Sequence, residues 1–461
     1  MALPFLDRQE ELARLRRAFA VTTGTFACVY GRRRTGKSRL LLEALGAQAA
    51  GGYYCSDLRE AAIQRRALAA VIAVLLPGFD RVQYPDWEAL LARWRADAPQ
   101  GTVLALDEFP FLVATSPELP GLLQKNLDGG GAKPVHLVVC GSSQRMMHGL
   151  VLAADAPLYG RAREILRLRP LGAAWLGEAL GLTSARQILD AYALWGGIPR
   201  YWELAQPFAD TWEAMRALVL DPLGVLYQEP ERLLADDLRD SVQANSLLSL
   251  VGQGCQRVSE LAARLGKPAT ALSRPLRVLV DLGLIARETP WGVAERDSKR
   301  SLYRIADPFL GFWYRFVEPN RSVLEARRLE PVCEAVRLGW GQHVGGIWEC
   351  LCREAVTGND VAGLAWGKPS RWWGPGLDRK ALEFDVVATS LDSTALLVGE
   401  VKLAIRGQEQ AIATKLLAKI RQFPGAAGRR LLPVIFHADD LVAPVNGVAL
   451  IGAEAVLARL R

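Results

Sequence analysis

The residues from Gly31 to Ser38 match the pattern G-x-x-x-x-G-K-S. The apolar run 26–30 leads directly into them and the helix-forming run 38–46 follows, so strand, loop and helix are predicted in that order. Glycines let backbone N–H groups close around phosphate oxygens, and the positive end of the new helix points at the same place. The sequence therefore predicts a phosphate-binding loop at the end of a strand in an α/β sheet.

Two side chains of this loop have predicted chemical roles. Lys37 is placed to neutralise the β- and γ-phosphates, and the Ser38 hydroxyl is placed to ligate Mg²⁺. The predicted cofactors are therefore ATP and Mg²⁺. The basic run 32–34 is interpreted as a solvated charge cluster, with contact to phosphates or nucleic acid as the alternative.

A second strand ends in two acidic residues. The buried-type run 103–106 is followed by Asp107 and Glu108, and the carboxyl ends of parallel strands form the rim where nucleotides bind. We predict that Asp107 holds Mg²⁺ through water and that Glu108 is the base that orients the attacking water. The alternative is that two acids simply end a strand. The predicted nucleotide-binding residues are Gly31, Arg34, Thr35, Gly36, Lys37, Ser38, Arg39 and Asp107.

The first 172 residues alternate short apolar runs with helical patterns, which is typical of a parallel α/β sheet. A third run, 136–141, ends at Ser142 and Ser143. Either serine could sense the γ-phosphate, and an ordinary serine-rich turn is the alternative. From about 174 to 245 the pattern becomes helical and rich in Trp and Leu.

Several further motifs occur in a fixed order with the loop. They are Phe5-Leu6-Asp7-Arg8 with Glu11-Leu12, Pro157-Leu158-Tyr159-Gly160-Arg161, Leu168-Arg169-Pro170-Leu171 and Gly196-Gly197-Ile198-Pro199. Together they resemble the archaeal-type P-loop ATPases of the AAA+/STAND kind. The resemblance implies that the first motif lies near the adenine and that Arg161 reaches a nucleotide, in its own subunit or in a neighbour within a homo-oligomer. A surface salt bridge is the alternative for Arg161.

The segment 246–320 has the pattern of a winged helix. Residues 258–266 read as a first helix that Gly266 ends, and residues 270–282 read as a recognition-like helix that points Ser273, Arg274 and Arg277 outward. Two strands then flank a wing tip that carries Arg296, Lys299 and Arg300. Phosphate contacts by these arginines would give salt-sensitive DNA binding.

Two features of this segment leave alternatives open. Pro275 is unfavourable in a groove-inserting helix unless it lies in the first turn, so a packing or dimerisation module is the alternative to DNA binding. The aromatic cluster 307–316 favours a hydrophobic dock between domains, with base stacking as the other interpretation.

A second candidate site lies near the C-terminus. The runs 383–387 and 396–402 predict a β-hairpin in which Asp385, Glu400 and Lys402 meet, and two carboxylates at one end of a hairpin attract a hard cation. The pattern Asp-x14-Glu-x-Lys resembles the PD-(D/E)XK nuclease superfamily. The resemblance implies that Asp385 and Glu400 ligate Mg²⁺, that Lys402 is the catalytic lysine, and that Glu349, the acid of the first helix, is a further metal ligand. Phe384 replaces the usual proline.

The full prediction is an α/β protein with four parts. These are a P-loop ATPase core at 1–172, a helical lid at 173–245, a winged-helix domain at 246–320, and a C-terminal restriction-endonuclease-like α/β domain at 330–461. The formal charge of +7 permits a polyanionic partner, and DNA is the partner expected.

The predicted function is ATP-dependent action on DNA with Mg²⁺-dependent endonuclease activity. The alternative is a nucleotide-switched DNA-binding regulator or scaffold with an inactive nuclease-like domain. No apolar run reaches the ~18 residues of a membrane span. The seven scattered cysteines fit neither a disulfide framework nor a zinc site, and the Cys350/Cys352 pair is interpreted as core packing. A reducing cytoplasm is expected.

Overall fold

A computed structural model describes residues 3–46, 51–128, 135–238, 240–294, 300–426, 428–440 and 442–461. The chain divides into two units. The N-terminal unit comprises Phe5–Pro170 and Ile198–Arg200, and the C-terminal unit comprises residues 3–4, Leu171–Gly197 and Tyr201–Arg461. The finer division into four domains stays a prediction.

The described residues of the N-terminal unit contain a parallel five-stranded sheet in the order β2-β3-β4-β1-β5, which confirms the predicted parallel sheet. Side chains of β1 alternate between two cores, with Phe26 and Cys28 on one face and Ala27 and Val29 on the other. Helices therefore cover both faces. The elements are α1 (Gln9–Phe19), β1 (Thr25–Gly31), α2 (Lys37–Gly46), β2 (Gly51–Cys55), α3 (Ala61–Leu75), α4 (Trp87–Asp97), β3 (Val103–Asp107), α5 (Phe109–Thr115), α6 (Leu119–Asp128), β4 (His136–Gly141), α7 (Gln144–Met147) and β5 (Glu164–Leu168).

Helices begin the C-terminal unit, as the sequence pattern predicts. Helix α9 starts with a capping box, in which Ser184 and Gln187 satisfy each other's backbone N–H groups. Trp195 and Trp202 are fully buried and anchor this helical region. The helices are α8 (Trp175–Leu180), α9 (Ala185–Trp195), α10 (Pro199–Ala205), α11 (Thr211–Met215) and α12 (Glu229–Asp237).

Three helices and a two-stranded hairpin follow. Leu272, Leu276 and Leu279 are buried on one face of α15, as expected from their spacing. Gly266 ends α14 with φ 61°. Pro275 lies inside α15 rather than in its first turn, so the condition that would make it harmless for groove insertion is not met. The elements are α13 (Ser241–Gly252), α14 (Val258–Leu265), α15 (Ala269–Asp281), β6 (Ile285–Glu288) and β7 (Leu302–Ile305).

The aromatic segment after the hairpin is part of the core. Phe309, Phe312 and Tyr314 have no exposed surface, and the indole of Trp313 donates to the carbonyl of Tyr227 at 2.8 Å. Base stacking by these side chains is therefore wrong, and the interpretation as a hydrophobic dock between domains stays a prediction. The helices here are α16 (Pro308–Phe312), α17 (Arg321–Glu325) and α18 (Leu329–Val356).

A mixed sheet ends the chain. Within the described residues it has five strands in the order β10-β11-β12-β13-β14, and the predicted hairpin is confirmed as the antiparallel pair β11-β12. Strands β12, β13 and β14 pair in parallel. The elements are β8 (Asp360–Val361), β9 (Leu364–Ala365), β10 (Ser370–Pro375), β11 (Ala381–Thr389), β12 (Ala395–Val401), α19 (Glu409–Arg421), β13 (Arg430–His437), β14 (Ala449–Gly452) and α20 (Ala453–Ala458).

The β6-β7 hairpin packs on this mixed sheet. The backbone N–H of Trp291 donates to the carbonyl of Arg371 at 2.8 Å, and Arg300 donates to the carbonyl of Trp373 at 2.5 Å. Arg300 therefore bonds to β10, although the sequence predicted it at a wing tip facing DNA. The other two predicted wing-tip cations, Arg296 and Lys299, lie outside the described residues.

Two global expectations concern membranes and thiols. Among the helices in the described ranges, none is both long and apolar enough to cross a membrane. All seven cysteines fall within those ranges and are free thiols. Cys352 is buried, as core packing requires, whereas Cys350 is only half-buried.

Candidate functional sites

The loop between β1 and α2 has an unusual backbone. Arg34 adopts φ 66° and Gly36 adopts φ 90°, which is the left-handed region that side chains disfavour. A Cβ on Gly31 would lie 2.4 Å from the carbonyl oxygen of Leu168, so only glycine fits there. Thr35 closes the loop by donating its hydroxyl to the carbonyl of Arg32 at 2.8 Å. Such backbone strain concentrates at ligand-binding loops.

Two of the four cations of the loop are buried. Lys37 opens α2, is 5% exposed, and donates its Nζ to the carbonyl of Arg32 at 3.0 Å. Arg32 is buried as well, so the interpretation of the basic run as a solvated cluster is wrong for this residue, whereas Arg33 is exposed. Arg8 donates to the carbonyls of Thr35 and Arg169, which ties the N-terminal motif to the loop.

Asp107 lies at the carboxyl end of β3 beside this loop. It is 1% exposed and accepts hydrogen bonds from the Tyr53 hydroxyl at 2.7 Å and from the Glu108 N–H at 2.8 Å. Burial alone would raise the pKa of Asp107, but hydrogen bonds from Ser38, Tyr53 and Cys140 outweigh it and lower the pKa. The structure thus brings together Ser38 and Asp107, the two predicted Mg²⁺ residues.

Glu108 caps α5 with φ 50°, another strained position. Ser142 holds its carboxylate twice, through its hydroxyl at 2.6 Å and its N–H at 3.3 Å. Ser143 instead caps α7 by accepting from the N–H of Met146. Of the two candidate serines, Ser142 is therefore the one at the site.

Arg161 forms a two-bonded ion pair with Asp128 at 2.7 and 2.9 Å. It also donates to the carbonyls of Pro157 and Tyr159. This is the surface salt bridge named above as the alternative. Contact with a nucleotide, in the same subunit or in a neighbouring one, stays a prediction. The remaining candidate, Arg39, has its guanidinium 5.8 Å from the ring centroid of Phe5.

The residues of this site fit ATP with Mg²⁺. No atom of the described residues lies within 4 Å of the place where a Cβ of Gly36 would be, so the loop is open on that side. The loop from Gly31 to Arg39 would hold the phosphates, with the Lys37 ammonium beside them. Ser38 and Asp107, which the structure brings together, would hold the metal.

The second candidate site forms where β11 and β12 meet α18 and α19. Lys402 Nζ lies 2.8 Å from Glu400 Oε2 and 3.9 Å from Asp385 Oδ2. Asp385 also accepts the N–H of Val401 at 2.8 Å. Glu349 reaches the same place from α18 and pairs with Arg353 at 3.7 Å. All four residues predicted for this site are therefore neighbours.

The pKa values of the three carboxyl groups at this second site shift in different directions. Burial raises the pKa of Asp385, and the nearby Glu400 raises it further. Burial and the Asp385 charge likewise raise the pKa of Glu349. Burial would also raise the pKa of Glu400, but hydrogen bonds from Lys402 and Lys419 outweigh it and lower the pKa.

A metal at the second site would have to be held by few protein ligands. Among the described residues, no three His, Cys, Asp or Glu side chains are grouped to share a metal. Mg²⁺, however, is commonly bound by one or two carboxylates with water completing its shell. The pair Asp385 and Glu400 fits that requirement, and a cation would offset the burial and the nearby Glu400 charge that raise the pKa of Asp385. The ligand role of Glu349 stays a prediction.

Sequence reasoning missed two residues of these sites. Tyr53 reaches Asp107 from β2, the neighbour of β3 in the sheet, and no motif marks it. Lys419 contacts Glu400 from α19 and so occupies its second carboxylate oxygen. The sequence carried one signal for Lys419. The helical period of α19 puts Lys419 three residues after the buried Leu416, so the two side chains lie on the same side of the helix.

Two segments match known protein families. Residues 5–204 match a family described as an ATPase domain predominantly from Archaea. Residues 313–413 match a family described as archaeal and bacterial proteins of unknown function. The chain is also 26% identical over 409 residues to an uncharacterized protein of Methanocaldococcus jannaschii, which covers 86% of this chain and 87% of the relative.

Two solved structures are similar to this chain. The Walker-type ATPase of Pyrococcus abyssi matches with a TM-score of 0.51 at 19% identity, over 68% of this chain and 96% of its own. The ORC2 protein of Aeropyrum pernix, solved in ADPNP and ADP complexes, matches with a TM-score of 0.46 at 14% identity, over 71% and 96%. The first likeness supports the α/β fold, and the family match places an archaeal-type P-loop ATPase domain at residues 5–204.

Proposed function

We propose that this protein, an ATPase with its nucleotide site at the carboxyl ends of β1 and β3, acts on DNA. The observation that carries the proposal is the exposed, cationic face of α15. Arg274 and Arg277 are exposed on that face, and the buried leucines of the opposite face fix the helix to its neighbours. A rigid helix that presents arginines to solvent suits contact with a polyanionic backbone.

In the ATPase reaction, the residues around the loop have different chemical roles. Lys37 places a positive charge where negative charge develops on the transferred phosphoryl group. Glu108 orients the attacking water and accepts its proton, while Ser142 fixes the carboxylate that does so. Bound Mg²⁺ would supply further charge neutralisation at the phosphates.

The surroundings of α15 support a winged-helix interpretation. Helices α13, α14 and α15 followed by the β6-β7 hairpin reproduce the order of that motif. The hairpin, however, packs against β10 through Trp291 and Arg300. Contact with duplex DNA is therefore assigned to α15, with backbone phosphates rather than base edges as the targets, since Pro275 lies inside that helix.

Duplex binding tests this proposal. We expect the double variant Arg274→Gln/Arg277→Gln to weaken binding and to reduce the slope of log affinity against log salt by about 1.8, because two phosphate contacts are lost. The measurement is fluorescence anisotropy over a series of salt concentrations. Arg337→Gln, an exposed arginine of the same unit on α18, is the matched control. Equal affinity and slope in wild type and double variant would remove α15 from DNA binding.

Mg²⁺-dependent cleavage of DNA is a second candidate function. The convergence of Glu349, Asp385, Glu400 and Lys402 at the end of the β11-β12 hairpin supports it. In this role Lys402 would polarise the attacking water beside the two carboxylates. The two lysines on Glu400 support the alternative of an inactive nuclease-like domain in a DNA-binding regulator or scaffold.

A plasmid-nicking assay separates these two alternatives. We expect the wild type to nick supercoiled plasmid with Mg²⁺ and to stop when EDTA removes the metal. Lys402→Ala is expected to lose this nicking while it retains ATP hydrolysis, because the two sites are chemically independent. Lys415→Ala, an exposed lysine on α19, is the control. Absence of nicking by a preparation that hydrolyses ATP would mean that the second site is inactive.

A further inference from the structure

A cavity of about 540 Å³ lies between the β6-β7 hairpin, α18 and the start of β10, all within the C-terminal unit. The hairpin contributes Arg287, Glu288 and Trp291 to its lining. None of the functions discussed above uses this cavity. Its volume lies in the range that accommodates one small ligand.

The lining of this cavity is strongly cationic. Its described residues include five basic side chains, namely Arg287, Arg304, Arg353, Lys368 and Arg371, against the two acids Glu288 and Glu354. Glu288 alone pairs with three of the arginines, at 2.5, 3.4 and 3.4 Å. Arg353 also pairs with Glu349 and Arg371 with Glu383, so the excess positive charge of the lining comes from Arg287 and Lys368 at its exposed rim, where it attracts anions.

Two arginines of the lining connect the cavity to neighbouring segments. The two terminal nitrogens of Arg371 contact Glu288 and Glu383. Arg353 contacts the cavity and also donates to the carbonyl of Asp385 at 2.9 Å. The cavity therefore adjoins the second candidate site.

We infer that this cavity binds the phosphodiester backbone of a single nucleic-acid strand. Guanidinium groups match phosphate geometry, and Trp291 in the lining offers a surface on which a base can stack. The volume suits about one or two nucleotides, whereas a duplex is too wide to enter. The inference rests on the proposed action on DNA and adds a strand-binding site to the duplex contacts of α15.

Substitutions at the rim test this inference without disturbing the buried ion pairs. Arg287 and Lys368 are exposed, so the double variant Arg287→Gln/Lys368→Gln is expected to fold, which circular dichroism checks. We expect it to bind labelled oligothymidylate about tenfold more weakly, and the salt slope to fall by about 1.4, as the loss of two single-strand phosphate contacts predicts. Lys368→Glu, which adds repulsion, is a second variant and is expected to weaken binding as well.

The control is Arg337→Gln, an exposed arginine on α18. We expect it to leave single-strand affinity unchanged. If rim variant and wild type bind oligothymidylate equally and duplex binding persists, the cavity is not a strand site and the proposed action on DNA still stands. If wild type binds neither form, both proposals fail. Equal affinity for thymidine monophosphate and for the oligomer would identify a free nucleotide as the occupant and overturn the strand assignment.

Discussion

Lys37→Ala is expected to abolish ATP binding and, with it, ATP hydrolysis. The Lys37 ammonium is nearly buried at the first turn of α2 and donates to the carbonyl of Arg32 at 3.0 Å. No flexible surface lysine can replace it, because the loop backbone fixes its position relative to the phosphates. Alanine therefore removes the charge on which binding of the β- and γ-phosphates depends.

Isothermal calorimetry with ATP and Mg²⁺ measures this effect directly. Wild type should give a saturable heat of binding, and Lys37→Ala should give none. Lys125→Ala is a suitable control, since Lys125 lies in the same unit, is 74% exposed and pairs with Glu88 on the surface. A normal binding isotherm for Lys37→Ala would show that the phosphates lie elsewhere.

Glu108→Gln is expected to separate binding from turnover. Gln keeps the size of the side chain and can still accept the hydrogen bond from Ser142, so the site should retain its shape. It cannot accept a proton from water, and loss of a general base typically lowers the rate by about 10²- to 10⁴-fold. ATP affinity should stay within a few-fold of that of the wild type.

The measurements are steady-state phosphate release and the same calorimetric titration. Glu118→Gln, an exposed acid just before α6, serves as the control and should leave both quantities unchanged. If Glu108→Gln hydrolyses ATP at the rate of the wild type, another group activates the water. If it loses ATP binding, the carboxylate holds the loop together instead.

The predictable parts of these sites are the parts encoded locally. The β1 strand, the loop and α2 are consecutive in the chain. An apolar run predicts the strand, the glycine spacing predicts the loop, and a helix-forming run predicts α2. Asp385, Glu400 and Lys402 were predictable for a similar reason, because period-2 alternation in one hairpin brings them together.

Contacts between distant segments could not be predicted from the sequence. Tyr53 is 54 positions from its partner Asp107, and only the order of strands in the sheet makes them neighbours. The sequence pattern predicted that Arg300 is a wing-tip cation. A local pattern does not show that Arg300 bonds to β10, 73 positions later in the chain. The family resemblance implied a nucleotide contact for Arg161, whereas its ion pair with Asp128 depends on where α6 ends.

The clustering of three guanidinium groups on Glu288 has a consequence for how the C-terminal unit comes apart. Burial would raise the pKa of Glu288, but Arg304, Arg353 and Arg371 outweigh it and lower the pKa, so the carboxylate is ionised and bonded to the hairpin, to α18 and to β10 at once. If any one of these segments separates, a charged group is left unpaired in a poorly hydrated place. The hairpin and the mixed sheet should consequently melt as one cooperative block rather than fray separately.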